Sequence, residues 1–228
     1  MSAGRSRSRL LSALFGFLVP GLGHIYIGRA RRIVLVAIAY FAVVFCLGIA
    51  GLLSTFGGAA VYVGLLLALY LFGIADPPIV VKPQAFEPKW YNRWYGYVGW
   101  IALVFIAMSV VPVIREPVLG FSVFRVPGTS MMPAIEPRDI VLVDTRAFAD
   151  SPPALNDVVI VRGPRSGFLY VRRVAKEHGP DSLFFKKDNQ EPSTADLELQ
   201  NVPVSEALGR VTYVFYSWNT ARIGRRIE

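Results

Sequence analysis

Hydrophobic positions dominate the first half of the chain, in runs that are too long for the helices of a water-soluble domain. Residues 33–75 contain no Asp, Glu, Lys, Arg or His. At a rise of about 1.5 Å per residue, this segment is long enough for two helices that each cross a bilayer core of about 30 Å. The pattern predicts spans at 33–53 and 58–75, joined by a turn in "STFGG", and a third span at 96–113.

A shorter apolar segment, at 10–28, precedes these runs. Pro20 and the glycines beside it interrupt the segment after about a dozen apolar residues, which is too short for a spanning helix. We therefore expect a re-entrant or interfacial hairpin here. Together with the three spans, it places residues 1–113 in one membrane domain.

The pattern changes after Val113 from long apolar runs to short ones. β-Branched stretches such as "DIVLVDT", "DVVIVRG" and "GRVTYVFYSW" are bounded by Asp, Pro and Gly. Such runs favour strands, and no long amphipathic helix competes with them. Residues 114–228 are predicted to form a small, mostly-β domain, an antiparallel barrel or folded sheet of six to eight strands.

Composition and charge agree with a membrane anchor and argue against a nucleic-acid partner. Hydrophobic residues make up 54% of the chain and charged residues 18%. The net charge of +8 is concentrated in residues 1–113, which hold nine basic and two acidic residues, against fifteen and fourteen in the remainder. The basic excess therefore flanks the spans and does not form a phosphate-binding face on the folded domain.

The flanking basic residues also predict the orientation in the bilayer. They lie before the first span and between the second and third spans, at Arg29, Arg31, Arg32, Lys82, Lys89 and Arg93. Loops rich in Lys and Arg stay in the cytoplasm. Three crossings after Arg32 then place the domain beyond Val113 outside the cytoplasm.

The sequence gives little support for metal or other cofactor chemistry. The chain has two histidines and one cysteine, and they are scattered. Cys46, as the single cysteine, cannot form an internal disulfide. We expect no metal and no other cofactor.

Several ordered motifs in the second half resemble one enzyme family. They are "GTSMMPAI", "PRDIVLVD", "NDVVIVRGP", "YVRRVAKEHGPD", "KKDNQEPSTAD" and "NVPVSEALGRVTYVFYSW". In this order they are similar to the boxes of bacterial type I signal peptidases, which are membrane-anchored serine endopeptidases that remove signal peptides from exported proteins. The resemblance implies a bacterial inner-membrane protein with exported preproteins or signal peptides, and the lipid bilayer, as partners.

The resemblance also implies roles for individual residues. Ser130 matches the nucleophile, and its backbone N–H is the expected donor to the oxyanion. Ser193 matches a hydroxyl that orients the catalytic amine. Asp188 and Asn189 match the box that shapes the site. The residues expected to line the substrate groove are Phe124, Val126, Gly128 and Met131.

Arg172 departs from the family pattern. It stands where the family has the lysine that acts as general base. An arginine stays protonated at neutral pH and has no lone pair with which to accept the serine proton, whereas a buried lysine can lose its proton. Lys187 occupies a glycine position of the family box beside that lysine, and it is therefore our candidate for a relocated base.

Two functional classes follow from this departure. One is an active serine endopeptidase in which Lys187 replaces the missing lysine and Arg172 tunes the site. The other is an inactive pseudo-peptidase that binds extended or hydrophobic segments. A self-cleaving protein of the repressor type shares the Gly-x-Ser-Met-like motif, but the multi-span anchor and the later boxes argue against it.

Overall fold

A computed structural model of the protein describes residues 6–82, 86–177, 182–189, 199 and 201–227. The chain divides into two compact units. The first comprises Met1–Cys46 and Ala60–Ile114, and the second comprises Leu47–Ala59 and Arg115–Glu228.

The first unit is helical. Its helices are α1 (Arg9–Leu18), α2 (Leu22–Tyr26), α3 (Ala30–Ile49), α4 (Phe56–Val80) and α5 (Trp94–Ile114), and a π-helical turn (Arg115–Leu119) continues α5. Three of these segments are long and apolar enough to cross a membrane: Ala30–Ile49, Phe56–Val80 and Trp94–Leu119. Most of their apolar side chains face outward, as lipid-facing helices require. The predicted multi-span anchor is confirmed.

The N-terminal apolar segment forms two short helices. Ser8 caps α1 by accepting a hydrogen bond from the Leu11 N–H. Gly21 joins α1 to α2 in the left-handed region, with φ of 87°, which glycine adopts without strain. Trp100 on α5 donates its indole N–H to the main-chain oxygen of Pro20 at 2.8 Å. The turn that Pro20 imposes is therefore held by a neighbouring helix.

Helix α4 extends five residues beyond the span that the sequence suggested, to Val80. The expected end lay before Asp76 because a carboxylate is costly inside a bilayer. In the structure this carboxylate is paired: His24 Nε2 lies 3.0 Å from one of its oxygens, and Arg32 donates to the other at 2.7 Å. Paired on both oxygens, Asp76 remains within the helix.

Within the described residues, the second unit contains one antiparallel sheet of seven strands, in the order β1-β2-β7-β3-β4-β5-β6. The strands are β1 (Phe121–Arg125), β2 (Ile140–Asp144), β3 (Val158–Arg162), β4 (Leu169–Glu177), β5 (Ser182–Lys186), β6 (Val202–Pro203) and β7 (Ala207–Tyr216). This count lies within the predicted six to eight strands. The mostly-β fold class is confirmed.

Strand β3 is buried on both faces, which explains its uninterrupted apolar run. Val158 and Ile160 belong to one buried cluster, with Met131 and Ile135. Val159 and Val161 belong to a second cluster, on the opposite face of the sheet. Successive strand residues point to opposite faces, so four consecutive apolar residues are needed when both faces are covered.

The loop between α3 and α4 belongs to the second unit. Thr212 on β7 donates its hydroxyl to the main-chain oxygen of Ser54 at 2.6 Å. Arg146 donates to the main-chain oxygen of Gly48 at 3.0 Å. Residues 47–59, which include "STFGG", are thus bonded to the sheet domain.

Candidate active site

Ser130 lies on a loop that leaves β1 and returns to β2. The base of the loop is closed by two hydrogen bonds, from the Val126 N–H to Asp139 O and from the Arg138 N–H to Val126 O. Beyond Ser130, Met131 and Ile135 are fully buried in the core. These apolar anchors fix the turn, while Ser130 itself remains half-buried at the surface.

Arg172 contacts the Ser130 hydroxyl. Its Nη1 donates to Ser130 Oγ at 2.7 Å and to the main-chain oxygen of Val171 at 2.8 Å. The Arg172 side chain is only 5% exposed, and its guanidinium carbon lies 5.5 Å from the centre of the Tyr170 ring. The residue predicted to stand at the family's lysine position therefore reaches the serine, but as a hydrogen-bond donor.

The predicted "DN" pair holds the main chain of Ser130. The N–H groups of Asp188 and Asn189 both donate to Ser130 O at 3.0 Å. The Asn189 side-chain amide donates to the main-chain oxygen of Thr129 at 3.3 Å. The segment after β5 is thereby tied to the serine loop, although the two are far apart in sequence.

Arg173 supports this arrangement from the opposite face of β4. Its Nε and Nη2 donate to the two carboxylate oxygens of Asp188, each at 2.8 Å. This hydrogen-bonded carboxylate raises the pKa of the Arg173 guanidinium. Planar two-point pairs of this kind fix orientation as well as charge. No role for Arg173 was predicted from the sequence. Successive residues of a strand point to opposite faces, so Arg173 and Arg172 serve different faces of β4.

Lys187, the candidate base, directly precedes Asp188 and is half-buried. It lines a cavity of about 600 Å³ together with Arg173, Asp188 and Asn156. Lys186 reaches Asn156 Oδ1 at 3.3 Å. The structure thus brings the Lys187 main chain next to the serine loop, whereas the side-chain contact to Ser130 Oγ comes from Arg172.

The four predicted groove residues lie in different environments. Val126 and Met131 are buried in the core, and Phe124 is half-buried against it. Gly128 is exposed, and a Cβ at this position would meet no atom within 4 Å. Only Phe124 and Gly128 therefore offer surface to a bound chain. Ser193 lies outside the described residues.

A second network, which sequence analysis did not identify, fixes the chain just after Ser130. Arg222 donates to the main-chain oxygens of Pro133 and Ala134 at 3.1 and 2.7 Å. Its Nη2 also donates to the buried carboxylate of Asp139 at 3.1 Å. Arg222 and Asp139 are 83 residues apart, so no local pattern in the sequence connects them.

Two features bear on what the site can do chemically. Within the described residues, the Ser130 N–H donates no hydrogen bond, so it is available to a carbonyl oxygen of a bound chain. No group of three or more His, Cys, Asp or Glu side chains suited to a metal ion occurs in the described part of the chain. The groups that contact Ser130 in the described residues are therefore the Arg172 guanidinium and the main-chain amides of Asp188 and Asn189.

No curated protein matches the chain significantly. A family model described as signal peptidase, peptidase S26, matches residues 97–195. The matched segment includes Ser130, Arg172 and the Asp188–Asn189 pair. Residues 97–195 are therefore similar to the signal peptidase family, peptidase S26.

Proposed function

We propose that this signal-peptidase-like protein binds extended segments of exported preproteins at Ser130, and that Arg172 prevents Ser130 from cleaving them. One observation carries the proposal: the donor group at 2.7 Å from Ser130 Oγ is a guanidinium. A serine attacks a carbonyl only when a base takes its proton. A guanidinium has donors and no acceptor, so it cannot take that proton.

Features needed to hold a peptide remain beside this serine. The Ser130 loop is anchored by buried apolar residues, and its carbonyl is fixed by two amide donors. The Ser130 N–H has no hydrogen-bond partner in the described part of the chain. A carbonyl oxygen of an extended segment would accept this hydrogen bond. The bond would increase the affinity of the segment for the site without any cleavage.

The proposed location is the outer face of a bacterial inner membrane. Basic residues flank the start of α3 and the loop between α4 and α5, which favours a cytoplasmic position for both. The opposite loop, at 47–59, is bonded to the sheet domain through Ser54 and Gly48. A loop and a domain that are bonded together lie on the same side of the bilayer, which supports an extracytoplasmic sheet domain.

A second candidate function is cleavage with Lys187 as the base. It is favoured by the position of Lys187, one residue before an N–H that binds Ser130 O. In that case the Lys187 amine takes the Ser130 proton, and Arg172 stabilises the negative charge that develops on Oγ. The family resemblance implies small side chains at the first and third positions before the cut bond.

A combined binding and cleavage assay tests both candidates. The purified full chain in detergent is incubated with a reporter preprotein, beside Ser130→Ala, Lys187→Ala and, as a matched control, Lys186→Ala. We expect the parent to bind the reporter without cutting it. Cleavage that is lost in both Ser130→Ala and Lys187→Ala, but kept in Lys186→Ala, would overturn the binding proposal in favour of the second candidate.

Topology is tested separately. A reporter enzyme that is active only outside the cytoplasm is fused after Glu228. We expect an active fusion. A second fusion carries a reporter that is active only in the cytoplasm. Activity of this second fusion, with none in the first, would contradict the proposed location.

A further inference from the structure

A second cavity lies in the helical unit, away from Ser130. Its volume is about 440 Å³, within the range of small-molecule sites, which is roughly 300–1,000 Å³. Its charged and aromatic lining residues are Arg7, Arg29, Lys82, Phe86, Glu87 and Lys89. Four cations and one carboxylate give the lining a net charge of plus three.

Arg7 is held in a position that suits recognition of an anion. Its guanidinium carbon lies 4.4 Å from the centre of the Tyr26 ring and 4.1 Å from that of Phe86. Stacking between two rings fixes the plane of the guanidinium and leaves its N–H groups free at the edge. In the described residues, its buried Nε has no hydrogen-bond partner. Buried donors normally have a partner, so this N–H is a position at which a ligand atom or a water can accept a hydrogen bond.

The other three cations are also unneutralised. Arg32, close by in sequence, is paired with Asp76, but Arg29, Lys82 and Lys89 form no ion pair with any residue that the structure describes. Glu87 lines the same cavity without pairing with them. Like charges that converge on one cavity without counter-charges repel one another, so an anion that enters the cavity is attracted.

The cavity lies at the ends of three membrane-crossing helices. Arg29 directly precedes α3, Val80 ends α4, and Lys89 precedes the turn (Trp90–Asn92) that leads into α5. Trp90 and Trp94, at the same end, are 75% and 76% exposed. Exposed tryptophans at helix ends are typical of the level of the lipid headgroups.

From these observations we infer that this cavity binds the phosphate of an anionic phospholipid headgroup. Arginine binds phosphate oxygens in a planar two-point manner and lysine adds point charge, and both types line the cavity. Ile27, Val80 and Val81 form its apolar wall, which lies beside the outward-facing apolar surface of α4. A phospholipid would place its phosphate among the cations and its acyl chains along this surface.

Native mass spectrometry of the full chain in neutral detergent tests the inference. The parent is titrated with phosphatidylglycerol, with phosphatidylcholine and with inorganic phosphate. We expect phosphatidylglycerol to bind most tightly. The two variants compared are Lys82→Gln/Lys89→Gln, at residues that line the cavity, and Arg31→Gln/Arg93→Gln, which removes the same charge from nearby residues that do not line it.

Each cavity cation should account for roughly fivefold in affinity, so the first double variant should lose roughly 25-fold. The control variant should change affinity less than threefold, roughly the effect of distant charge. Glu87→Gln should bind the anionic lipid more tightly, which distinguishes a charge effect from misfolding. Equal losses in the two double variants would overturn the site. If inorganic phosphate displaces phosphatidylglycerol at equal concentration, the ligand of the cavity is a free phosphate, and the assignment to a lipid is overturned.

Discussion

Arg172 and Ser130 form a direct contact in which the arginine is the donor: Nη1 lies 2.7 Å from Oγ. The contact has the spacing of a nucleophile and its base, with the direction of the hydrogen bond reversed. Because Arg172 is only 5% exposed, water does not readily replace its side chain. The chemistry of the site therefore depends on which side chain stands at position 172.

Replacing that side chain with a lysine should create activity. Arg172→Lys places an amine near Ser130 Oγ, and a neutral amine accepts the serine proton. General-base catalysis contributes typically about 10²–10⁴-fold. We expect cleavage of a reporter preprotein to appear in Arg172→Lys and to increase with pH, because the neutral fraction of the amine increases with pH. Ser130→Ala in the same background is the control. A folded Arg172→Lys protein that cuts nothing at any pH would show that more than the base is missing.

Lys187 should be dispensable once position 172 carries the base. In the Arg172→Lys background, we expect Lys187→Ala to keep cleavage within about threefold, since the Ser130 contact is made from β4. Lys186→Ala serves as the matched control, because Lys186 is the exposed neighbour that reaches Asn156. Initial rates measured at one pH compare the two. Loss of cleavage in Lys187→Ala alone would place the amine of Lys187 in the reaction.

The Arg173–Asp188 pair should contribute to stability as well as to the site. Asp188→Asn removes a carboxylate that receives two hydrogen bonds, with both side chains 13% exposed. Hydrogen bonds to charged groups contribute about 1.5–3 kcal/mol, so we expect the free energy of unfolding to fall by about that amount. Denaturant unfolding of the full chain measures the change. Asp150→Asn, in an exposed loop, removes the same charge and should change stability by less than about 0.5 kcal/mol. Equal effects would contradict a specific role for the pair.

Replacing Arg222 should lower the stability of the protein more than replacing an exposed arginine does. Arg222 is 6% exposed and Asp139 is 1% exposed, so Arg222→Ala leaves a buried carboxylate without its cation. Breaking a buried pair in this way costs about 3–5 kcal/mol. Thermal unfolding should show a large decrease for Arg222→Ala and little change for Arg226→Ala, whose side chain is exposed. A small decrease in Arg222→Ala would mean that water replaces the guanidinium.

The features that the sequence predicted well are those that depend on local pattern. The charge-free run from 33 to 75 indicates two crossings because no other environment accepts so long an apolar stretch. The β-branched runs indicate strands for a similar reason, and the sheet has seven. The ordered motifs indicated the signal peptidase family, which the family model confirms.

The features that it did not predict depend on contacts between distant residues. The predicted span ended before Asp76 because the local pattern shows an unpaired carboxylate. Its partners, His24 and Arg32, are 52 and 44 residues away. Arg222 and Asp139 are further apart still. A single sequence shows which residues carry charge, but the fold decides which charges meet. The roles assigned to Ser130 and to the other predicted site residues remain predictions.

The pairing of Asp76 with His24 and Arg32 has a consequence for the order in which the chain enters the membrane. Both partners lie N-terminal to Asp76, so the ribosome makes them first. When α4 leaves the insertion machinery, its carboxylate finds a histidine and an arginine already placed and avoids exposure to lipid. Deleting the hairpin at 10–28 would remove His24 and leave the acid with a single partner. Such a chain should insert α4 less efficiently, although no residue of that helix has changed.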